Sequence, residues 1–387
     1  MRVLVAFDKF KEALSAREAC EVTARALAEL HPDWQVELCP LSDGGDGFET
    51  VLGEAAGGRC VPLQVTGPRG GLVDASFTLV TESQIPAAAR ARVEFAPCKG
   101  DEESKLAVIE MASASGLSLL APSQRDPWQA TSYGTGQLIR AAVERGAGAI
   151  LLGVGGSATH DLGLGALAAL GLEFYDGAGS KIRPPVPANW ERIVKIGGAV
   201  SSTLPPIFIA CDVNNPLLGP KGAATVFAPQ KGLRADELMS LEASSERLAQ
   251  MLCTHYHQPP TLPDTPGTGA AGGIAFGLMC AAQARLLPGF DLVSDWLGLE
   301  EKIASADLVL TGEGRFDASS HGGKGPAALA ARALAAGKAV QVFAGQVVPS
   351  INPDRLILHE ITPTDIPLDQ ALRDAGAFLS RAIQRTL

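Results

Sequence analysis

The chain has 387 residues, of which 46% are hydrophobic and 19% charged, and its formal net charge is −10 at pH 7. A chain of this length predicts about two domains, and its composition excludes a disordered protein. The acidic charge excludes a nucleic-acid-binding protein that relies on a basic surface, yet leaves small phosphorylated ligands open. The N-terminus lacks the pattern of a signal peptide, and the long uncharged stretch 265–284 carries five glycines, which favours a loop opening a buried helix over a membrane span.

The seven cysteines show no Cys-x-x-Cys spacing, and the six histidines form no His-Glu-x-x-His motif. We therefore expect reduced thiols that pack as small hydrophobic side chains in a cytoplasmic protein.

The first predicted elements form a β-α-β unit, which favours a parallel sheet. A strand at 3–7 precedes a helix at 15–30, where Ser15 and Glu18 make a capping-box pattern, and a strand at 35–39 follows. The turn cluster 65–71 then separates two strand-like runs and predicts an antiparallel excursion.

The remaining predicted elements restore an alternation of helix and strand. The helices are expected at 102–115, 134–145, 162–172, 325–336 and 368–385. The strands are expected at 73–80, 149–152, 207–210, 308–311 and 339–343. Because the two ends resemble each other, we predict a discontinuous α/β domain of residues 1–62 and 289–387 and a second α/β domain of residues 63–288. Two sequential domains are the alternative.

Clusters of Gly, Asp, Ser and Thr follow five of the predicted strands. Ligands of parallel α/β sheets bind beyond the carboxyl ends of the strands, so these loops together predict a site for anions and a metal ion. Any one loop has an alternative reading as an ordinary turn or helix cap. The loops are 8–11, 42–47, 153–161, 211–215 and 312–317.

The loop around Gly155, Gly156, Ser157 and Thr159 joins a buried strand to an apolar helix. Its glycines, hydroxyls and position at a predicted helix N-terminus favour phosphate binding over a plain glycine turn. A Walker-type loop is excluded, because no Gly-x-x-x-x-Gly-Lys-Ser/Thr motif occurs. The segment 267–272 fits Gly-x-Gly-x-x-Gly, but it follows a Pro-rich loop, so a dinucleotide site is only an alternative.

Lys9, Lys11, Arg315 and Lys324 are the cations of these loops. Phosphoryl transfer needs cations and a metal ion to offset charge, and carboxylates to hold that metal. The competing reading is a solvated surface charge or, for Arg315, a structural ion pair with a neighbouring carboxylate.

Several longer motifs occur in one order along the chain, and through them the sequence resembles the class I (GarK-like) bacterial glycerate kinases over essentially its whole length. The motifs are PLSDGGDG at 40–47, ASGL at 114–117, TSYGTG at 131–136, GGSATHD at 155–161, DVNNPL at 212–217, FAPQKG at 227–232, GAAGG at 269–273 and TGEGRFD at 311–317.

The resemblance implies an ATP- and magnesium-dependent kinase that acts on glycerate, with 2-phosphoglycerate as the expected product. It implies a two-domain glycerate kinase fold: a Rossmann-like parallel-sheet domain, a second α/β domain with a mixed sheet, and an active-site cleft between them. The expected partners are glycerate and ATP, with no nucleic acid and no membrane. The phosphorylated hydroxyl, the preferred enantiomer and the oligomeric state are left open.

The chain departs from the family pattern at positions that touch this site. Lys9 and Glu12 stand where Ser and Gly are usual, and His160 stands where Asn is usual. Ser319 lies in a segment where a Gln-Thr pair is more common. These departures leave the substrate details open.

The residues and the resemblance together suggest a mechanism. Lys11 and Arg315 hold the glycerate carboxylate, and Asp43 positions or deprotonates the attacking hydroxyl. The other expected substrate-binding residues are Lys9, Gly44, Gly45 and Asp317. The expected ATP-binding residues are Gly155, Gly156, Ser157, Thr159 and Lys324. The expected metal ligands are Asp212, Glu313 and Asp161. A non-catalytic sensor of glycerate and a nicotinamide-dependent oxidoreductase are the two alternatives.

Overall fold

The computed structural model describes residues 1–42, 44–97, 103–316, 325–348 and 356–387. The chain divides into two compact units, which we call the terminal unit (Met1–Asp43 with Phe290–Leu387) and the central unit (Gly44–Gly289). Both units combine helices with a β-sheet, so the α/β fold class expected from the sequence is confirmed.

The described strands number thirteen and are labelled in chain order. They are β1 Arg2–Phe7, β2 Gln35–Leu38, β3 Arg59–Thr66, β4 Leu72–Thr81, β5 Lys105–Glu110, β6 Ala149–Gly153, β7 Leu172–Tyr175, β8 Lys195–Gly198, β9 Ile207–Ala210, β10 Arg285–Leu287, β11 Leu308–Phe316, β12 Ala339–Val347 and β13 Ile357–Glu360.

The described α-helices are labelled in the same way. They are α1 Ala16–Leu30, α2 Phe48–Ala55, α3 Ala87–Arg90, α4 Met111–Ser115, α5 Tyr133–Glu144, α6 Leu164–Ala169, α7 Ala223–Phe227, α8 Leu238–His255, α9 Ala270–Ala282, α10 Gly289–Leu297, α11 Leu299–Ser305, α12 Gly325–Ala335, α13 Leu368–Arg373 and α14 Ala375–Thr386.

The sheet of the terminal unit is parallel throughout, with strand order β13-β12-β11-β1-β2. Successive side chains of a strand point to opposite faces. Leu4 and Ala6 of β1 therefore pack on one face with α11 and α12, whereas Val3 and Val5 pack on the other with α1 and α14. Both faces are covered, as a parallel sheet requires.

The central unit holds a mixed sheet of order β10-β9-β6-β5-β4-β3. Strands β5, β6, β9 and β10 are parallel, while β4 runs antiparallel to both β3 and β5. The antiparallel excursion expected from the turn cluster is therefore confirmed. A separate antiparallel pair, β7 and β8, completes the unit's β-structure in the described chain.

Helix α1 has the start that its sequence predicts. The Ser15 side chain accepts from the Glu18 N–H at 3.2 Å, and the Glu18 carboxylate accepts from the Ser15 N–H at 2.8 Å. These reciprocal bonds satisfy backbone donors that the first helical turn leaves unpaired.

Two predicted helices are wrong in part. The range 102–115 contains strand β5 followed by the short helix α4. Within the range 162–172, only the residues of α6 form an α-helix. Strand β5 lies between β4 and β6, and Leu106 to Ile109 are fully buried there. A continuous apolar run fits a central strand as well as a buried helix, so only its place in the sheet decides.

The first unit boundary also differs from the predicted one. The sequence places residues 44–62 in the discontinuous domain, whereas they group with the central unit here. Strand β3 pairs along its whole length with β4, from Arg59 opposite Leu79 to Thr66 opposite Leu72.

None of the helices in the described ranges is long and apolar enough to cross a membrane. The stretch 265–284 instead contains helix α9, whose side chains are mostly buried. Of the six described cysteines, four are buried, Cys211 is half-buried and Cys60 is exposed, and all six are free thiols. Exposure of Cys60 is an exception to the expected burial.

Candidate active site

The carboxyl end of the terminal unit's parallel sheet opens into a cavity of about 860 Å³. Lys9, Lys11 and Arg315 line this cavity together with the carboxylates of Asp8, Glu313 and Glu360. The structure thus brings together three cations that the sequence singled out from two distant segments. The Lys9 ammonium lies 3.8 Å from an Asp8 carboxylate oxygen, so part of its charge is already balanced.

Lys11 projects from a tight turn between β1 and α1. The Phe10 N–H donates to the Leu14 carbonyl at 2.8 Å, and the Leu14 N–H donates back to the Phe10 carbonyl at 2.9 Å. Glu12 sits in this turn with φ = 61°, the left-handed region that favours glycine. The family's usual glycine at this position therefore has a backbone reason, and the Glu12 side chain is not among those that line the cavity.

Glu313 and Arg315 belong to a strand and not to a loop, which corrects the sequence-based expectation. Strand β11 continues to Phe316 and pairs with β12, with Arg315 opposite Gln346. At Gly312 an added Cβ would lie 1.8 Å from the Phe343 carbonyl oxygen, so glycine is needed for this close pairing. The sequence pattern instead predicts a loop at Gly312.

In the central unit, the segment that begins at Gly44 lies across the carboxyl ends of three parallel strands. Glu110 of β5, Gly153 of β6 and Ala210 of β9 are at one level in the sheet register. The Gly155 N–H donates to the Gly44 carbonyl at 2.9 Å, which joins this segment to the predicted phosphate-binding loop.

Glu110 is a contact residue that the sequence analysis missed. Its carboxylate accepts from the N–H of Gly47 at 2.8 Å and so ties the Gly-rich segment to the end of β5. Its place directly before Met111, at the end of an apolar run, was the available signal.

The loop at 155–159 is held by backbone bonds to the last residue of α4 and to the segment after it. The Leu117 N–H donates to the Gly156 carbonyl at 2.8 Å, and the Ala158 N–H donates to the Ser115 carbonyl at 2.9 Å. Within the described residues, the N–H groups of Gly156 and Ser157 have no acceptor. Such backbone donors are suited to bind an anion. Thr159, by contrast, is fully buried, and its hydroxyl has no partner among the residues described.

Asp161 caps a helix, which does not fit its predicted role as a metal ligand. Its carboxylate accepts from the Ser132 N–H at 2.7 Å and hydroxyl at 2.8 Å, and from the N–H groups of Gly163 and Gly165 at 3.1 Å each. The predicted helix N-terminus beside the 155–159 loop is therefore taken by Asp161. Helix α6 begins only at Leu164 and offers no N-terminus to a phosphate.

Two further titratable groups are buried beside this loop. The Lys231 ammonium donates to the Ser157 hydroxyl at 2.9 Å and to the Thr159 carbonyl at 2.6 Å. His160 pairs through Nε2 with the Ser245 hydroxyl at 3.1 Å, and burial lowers its pKa to about 3. Lys231 lies in the FAPQKG motif, but nothing in the local sequence indicates that this lysine is buried.

No group of three or more His, Cys, Asp or Glu side chains suited to a metal ion occurs within the described ranges. Of the predicted metal ligands, Asp161 and Asp212 belong to the central unit and Glu313 to the terminal unit. Glu313 lines the cavity described above.

The dinucleotide-like segment 267–272 follows the 3₁₀ turn Leu262–Asp264 and not a strand. At Gly272, where φ is 70°, an added Cβ would lie 2.1 Å from the Thr159 carbonyl oxygen. Gly272 thus packs closely against Thr159 and His160, and Gly269 packs against Pro216, so the structural context of a dinucleotide fingerprint is lacking.

The central unit also contains a cavity of about 490 Å³. Arg69, Lys181 and Arg183 line it, but Arg69 lies 3.9 Å from Asp126, and Lys181 pairs with Glu173. None of the residues predicted for the site lines this cavity.

Four residues named by the sequence analysis lie outside the described residues: Asp43, Asp317, Ser319 and Lys324. Their predicted roles stay predictions.

The chain is similar to known proteins of one family over nearly its whole length. The model of the glycerate kinase family matches residues 3–387. A glycerate kinase of Bacillus subtilis (strain 168) is 37% identical over 98% of this chain and 95% of its own length. A glycerate 2-kinase of Escherichia coli (strain K12) is 35% identical over 99% of this chain and 96% of its own length.

A solved structure agrees with these relatives. The crystal structure of a provisionally named glycerate kinase 2 from Salmonella typhimurium LT2 superposes with a TM-score of 0.74. It is 35% identical in sequence, and the match covers 100% of this chain and 96% of that one.

Proposed function

The chain belongs to the glycerate kinase family, and we propose that it transfers the terminal phosphoryl group of ATP to a hydroxyl of glycerate, giving 2-phosphoglycerate. The observation that carries the substrate assignment is the cavity of the terminal unit, where Lys9, Lys11 and Arg315 meet in one wall beside carboxylates. In the reaction the hydroxyl oxygen bonds to the terminal phosphorus, the bond to the bridging oxygen breaks, and ADP leaves.

Lys11 and Arg315 hold the glycerate carboxylate in this proposal. Lys11 makes no hydrogen bond or ion pair within the part of the chain that the structure describes, so its ammonium is available to an anion. Arg315 offers a planar guanidinium that suits a carboxylate. Lys9 stands nearer to Asp8 and adds positive charge to the wall of the cavity.

The ATP phosphates are proposed to bind the loop Gly155-Gly156-Ser157 in the central unit. The N–H groups of Gly156 and Ser157 and the Ser157 hydroxyl support this proposal as donors to phosphate oxygens. Lys324 is a further proposed phosphate ligand, whereas the side chain of Thr159 is buried and its carbonyl accepts from Lys231 at 2.6 Å.

Asp43 is the proposed base that accepts the proton of the attacking hydroxyl. The family's Gly44 and Gly45 follow it, and their backbone is fixed near Gly155. Asp317 is a proposed further contact to the substrate.

Magnesium is the proposed metal cofactor. Mg²⁺ is usually bound through one or two carboxylates together with substrate phosphates, so a protein cluster of three ligands is not required. Glu313 fits this requirement as a carboxylate on the cavity wall, and Asp212 is a second proposed ligand at the end of β9. The metal would neutralise charge that develops on the transferring group.

The direct test of the activity is incubation with ATP, magnesium and either D- or L-glycerate. We expect ADP release that depends on glycerate, and phosphorus NMR that identifies 2-phosphoglycerate. Binding of glycerate without ADP release would instead support a sensor. Absence of both would contradict the proposed substrate.

The substrate site is tested by Lys11→Met. Loss of a hydrogen bond to a charged group costs about 1.5–3 kcal/mol, so we expect the KM for glycerate to rise about 10- to 100-fold. The KM for ATP should change little, and steady-state kinetics measure both.

Arg25→Met is the matched control, because Arg25 is an exposed cation of helix α1 that does not line the cavity. An unchanged glycerate KM in Lys11→Met, or an equal effect in the control, would argue against the assignment.

A further inference from the structure

Lys231 is a fully buried lysine whose ammonium ends at the proposed phosphate-binding loop. It lies at the end of the 3₁₀ turn Pro229–Lys231, and its side chain is 1% exposed. Its Nζ donates to the Ser157 hydroxyl at 2.9 Å and to the Thr159 carbonyl at 2.6 Å. A cation from a segment some 70 residues away in the chain thereby holds both ends of the loop 157–159.

The hydrogen-bonding capacity of Lys231 and Ser157 decides where the proton of the Ser157 hydroxyl points. A charged lysine has three donors and no acceptor, while a serine hydroxyl has one donor and two acceptor sites. Because the Ser157 oxygen accepts from Lys231, its own proton must point elsewhere. No acceptor for that proton is found among the residues described. Ser157 is 7% exposed, so this proton is left for a ligand at the loop's outer side.

The charge balance points the same way. The N-terminus of α6 is capped by Asp161, so it contributes no positive field to the loop. An Asp46 carboxylate oxygen lies beside Gly156, where an added Cβ would be 2.1 Å from it, so an anion at this loop needs a compensating cation. Lys231 is the cation that the described residues place on the Gly155–Thr159 segment.

We propose that Lys231 is a positioning residue that turns the Ser157 hydroxyl outward as a hydrogen-bond donor and supplies the positive charge for phosphate binding at this loop. The inference rests on the proposed function, in which residues 155–157 bind the ATP phosphates.

A pH dependence follows from this arrangement. The titratable groups that interact with Lys231 are Asp161, which favours its charge, and His160, which stays neutral. Burial lowers the pKa of Lys231 to about 7. Above that pH the neutral amine can accept from Ser157, the hydroxyl proton turns inward, and the loop loses both a donor and a charge.

The test is calorimetric titration of the full chain with ATP, without glycerate, at pH 6 and pH 8.5. Since a charge-assisted hydrogen bond contributes about 1.5–3 kcal/mol, we expect the wild-type Kd to rise about tenfold or more between these pH values. Lys231→Met should bind about 10- to 100-fold more weakly at pH 6. The Kd of this variant should also change less between the two pH values. Because ionisation of ATP affects both proteins equally, the difference between their pH profiles comes from Lys231.

Ser157→Ala separates the inference from the proposed function. We expect weaker binding, with only the charge effect of Lys231 remaining in Ser157→Ala, so that the double variant binds no more weakly than Lys231→Met. Lys221→Met, at an exposed lysine of the same unit, is the control and should match the wild type.

Each outcome has one meaning. If Ser157→Ala binds ATP like the wild type, the loop is not the phosphate site and the proposed ATP assignment fails. If Ser157→Ala binds weakly but Lys231→Met keeps the wild-type affinity and pH profile, the inference on Lys231 is overturned alone. Should Lys231→Met fail to fold, the pH profiles of wild type and Ser157→Ala decide, because the inference requires the pH effect to shrink in Ser157→Ala.

Discussion

At the scale of single residues, the central unit uses buried polar groups to fix a loop that has little regular structure. The Asp161 carboxylate accepts four hydrogen bonds, and the Lys231 ammonium donates two. Burying a polar group is costly unless it is hydrogen-bonded, and both side chains are hydrogen-bonded. The 155–161 segment is therefore held by these side chains together with its backbone bonds to Ser115 and Leu117.

His160 gives a testable consequence for stability. Burial lowers its pKa to about 3 in the folded chain, against 6.5 for an unperturbed histidine. The unfolded state thus binds the proton more readily, and stability falls as the pH drops from about 6.5 towards 3. His160→Asn, which restores the family's usual residue, should lose less stability between pH 6.5 and pH 4.5. The difference is at most about 3 kcal/mol by linkage.

Urea unfolding of both proteins at the two pH values measures this difference. Other groups titrate in both proteins, so the comparison isolates residue 160. Equal losses of unfolding free energy in wild type and His160→Asn would show that a buried neutral histidine is not the cause.

At the scale of elements, the turn between β1 and α1 gives a physical reason for the glycine that is usual at position 12 in the family. Glu12 adopts φ = 61° in a turn closed by Phe10 and Leu14. The left-handed region costs a residue with a Cβ about 1 kcal/mol or more. Glu12→Gly should therefore be more stable than Glu12→Ala by about 1 kcal/mol, because both remove the same carboxylate and only glycine relieves the backbone.

Chemical denaturation of the two variants measures this difference directly. Comparison with Ala, and not with the wild type, removes the effect of contacts that the Glu12 side chain makes. If the alanine variant were as stable as the glycine variant, the backbone would not explain the family's glycine.

Glycine also misled the prediction of elements. In β11, Gly312 and Gly314 allow the strand to continue against β12, whereas the sequence pattern favoured a loop. In β5, good helix formers lie in a strand because the sheet offers a partner on each side. Pairing across a sheet overrides local propensity.

At the scale of the whole molecule, both ends of the chain contribute to one parallel sheet. Strand β1 pairs with β11, although about 300 residues separate Val3 from Leu308. Such non-local pairing brings Lys9 and Lys11 of one segment and Arg315 of another to the same cavity. The site of the terminal unit therefore depends on long-range strand pairing. Local sequence alone does not position any of its cations.

The sequence by itself determined the α/β class, the capping of α1, the antiparallel excursion and, through long motifs, the family. These features depend on local pattern, which the chain carries without its fold. The tertiary structure decided which strand-end residues meet, that Asp161 caps a helix, and that Lys231 is buried at the 155–159 loop. Those facts depend on distant pairs and on burial, since a lysine or an aspartate has the same local sequence signal whether water or protein surrounds it.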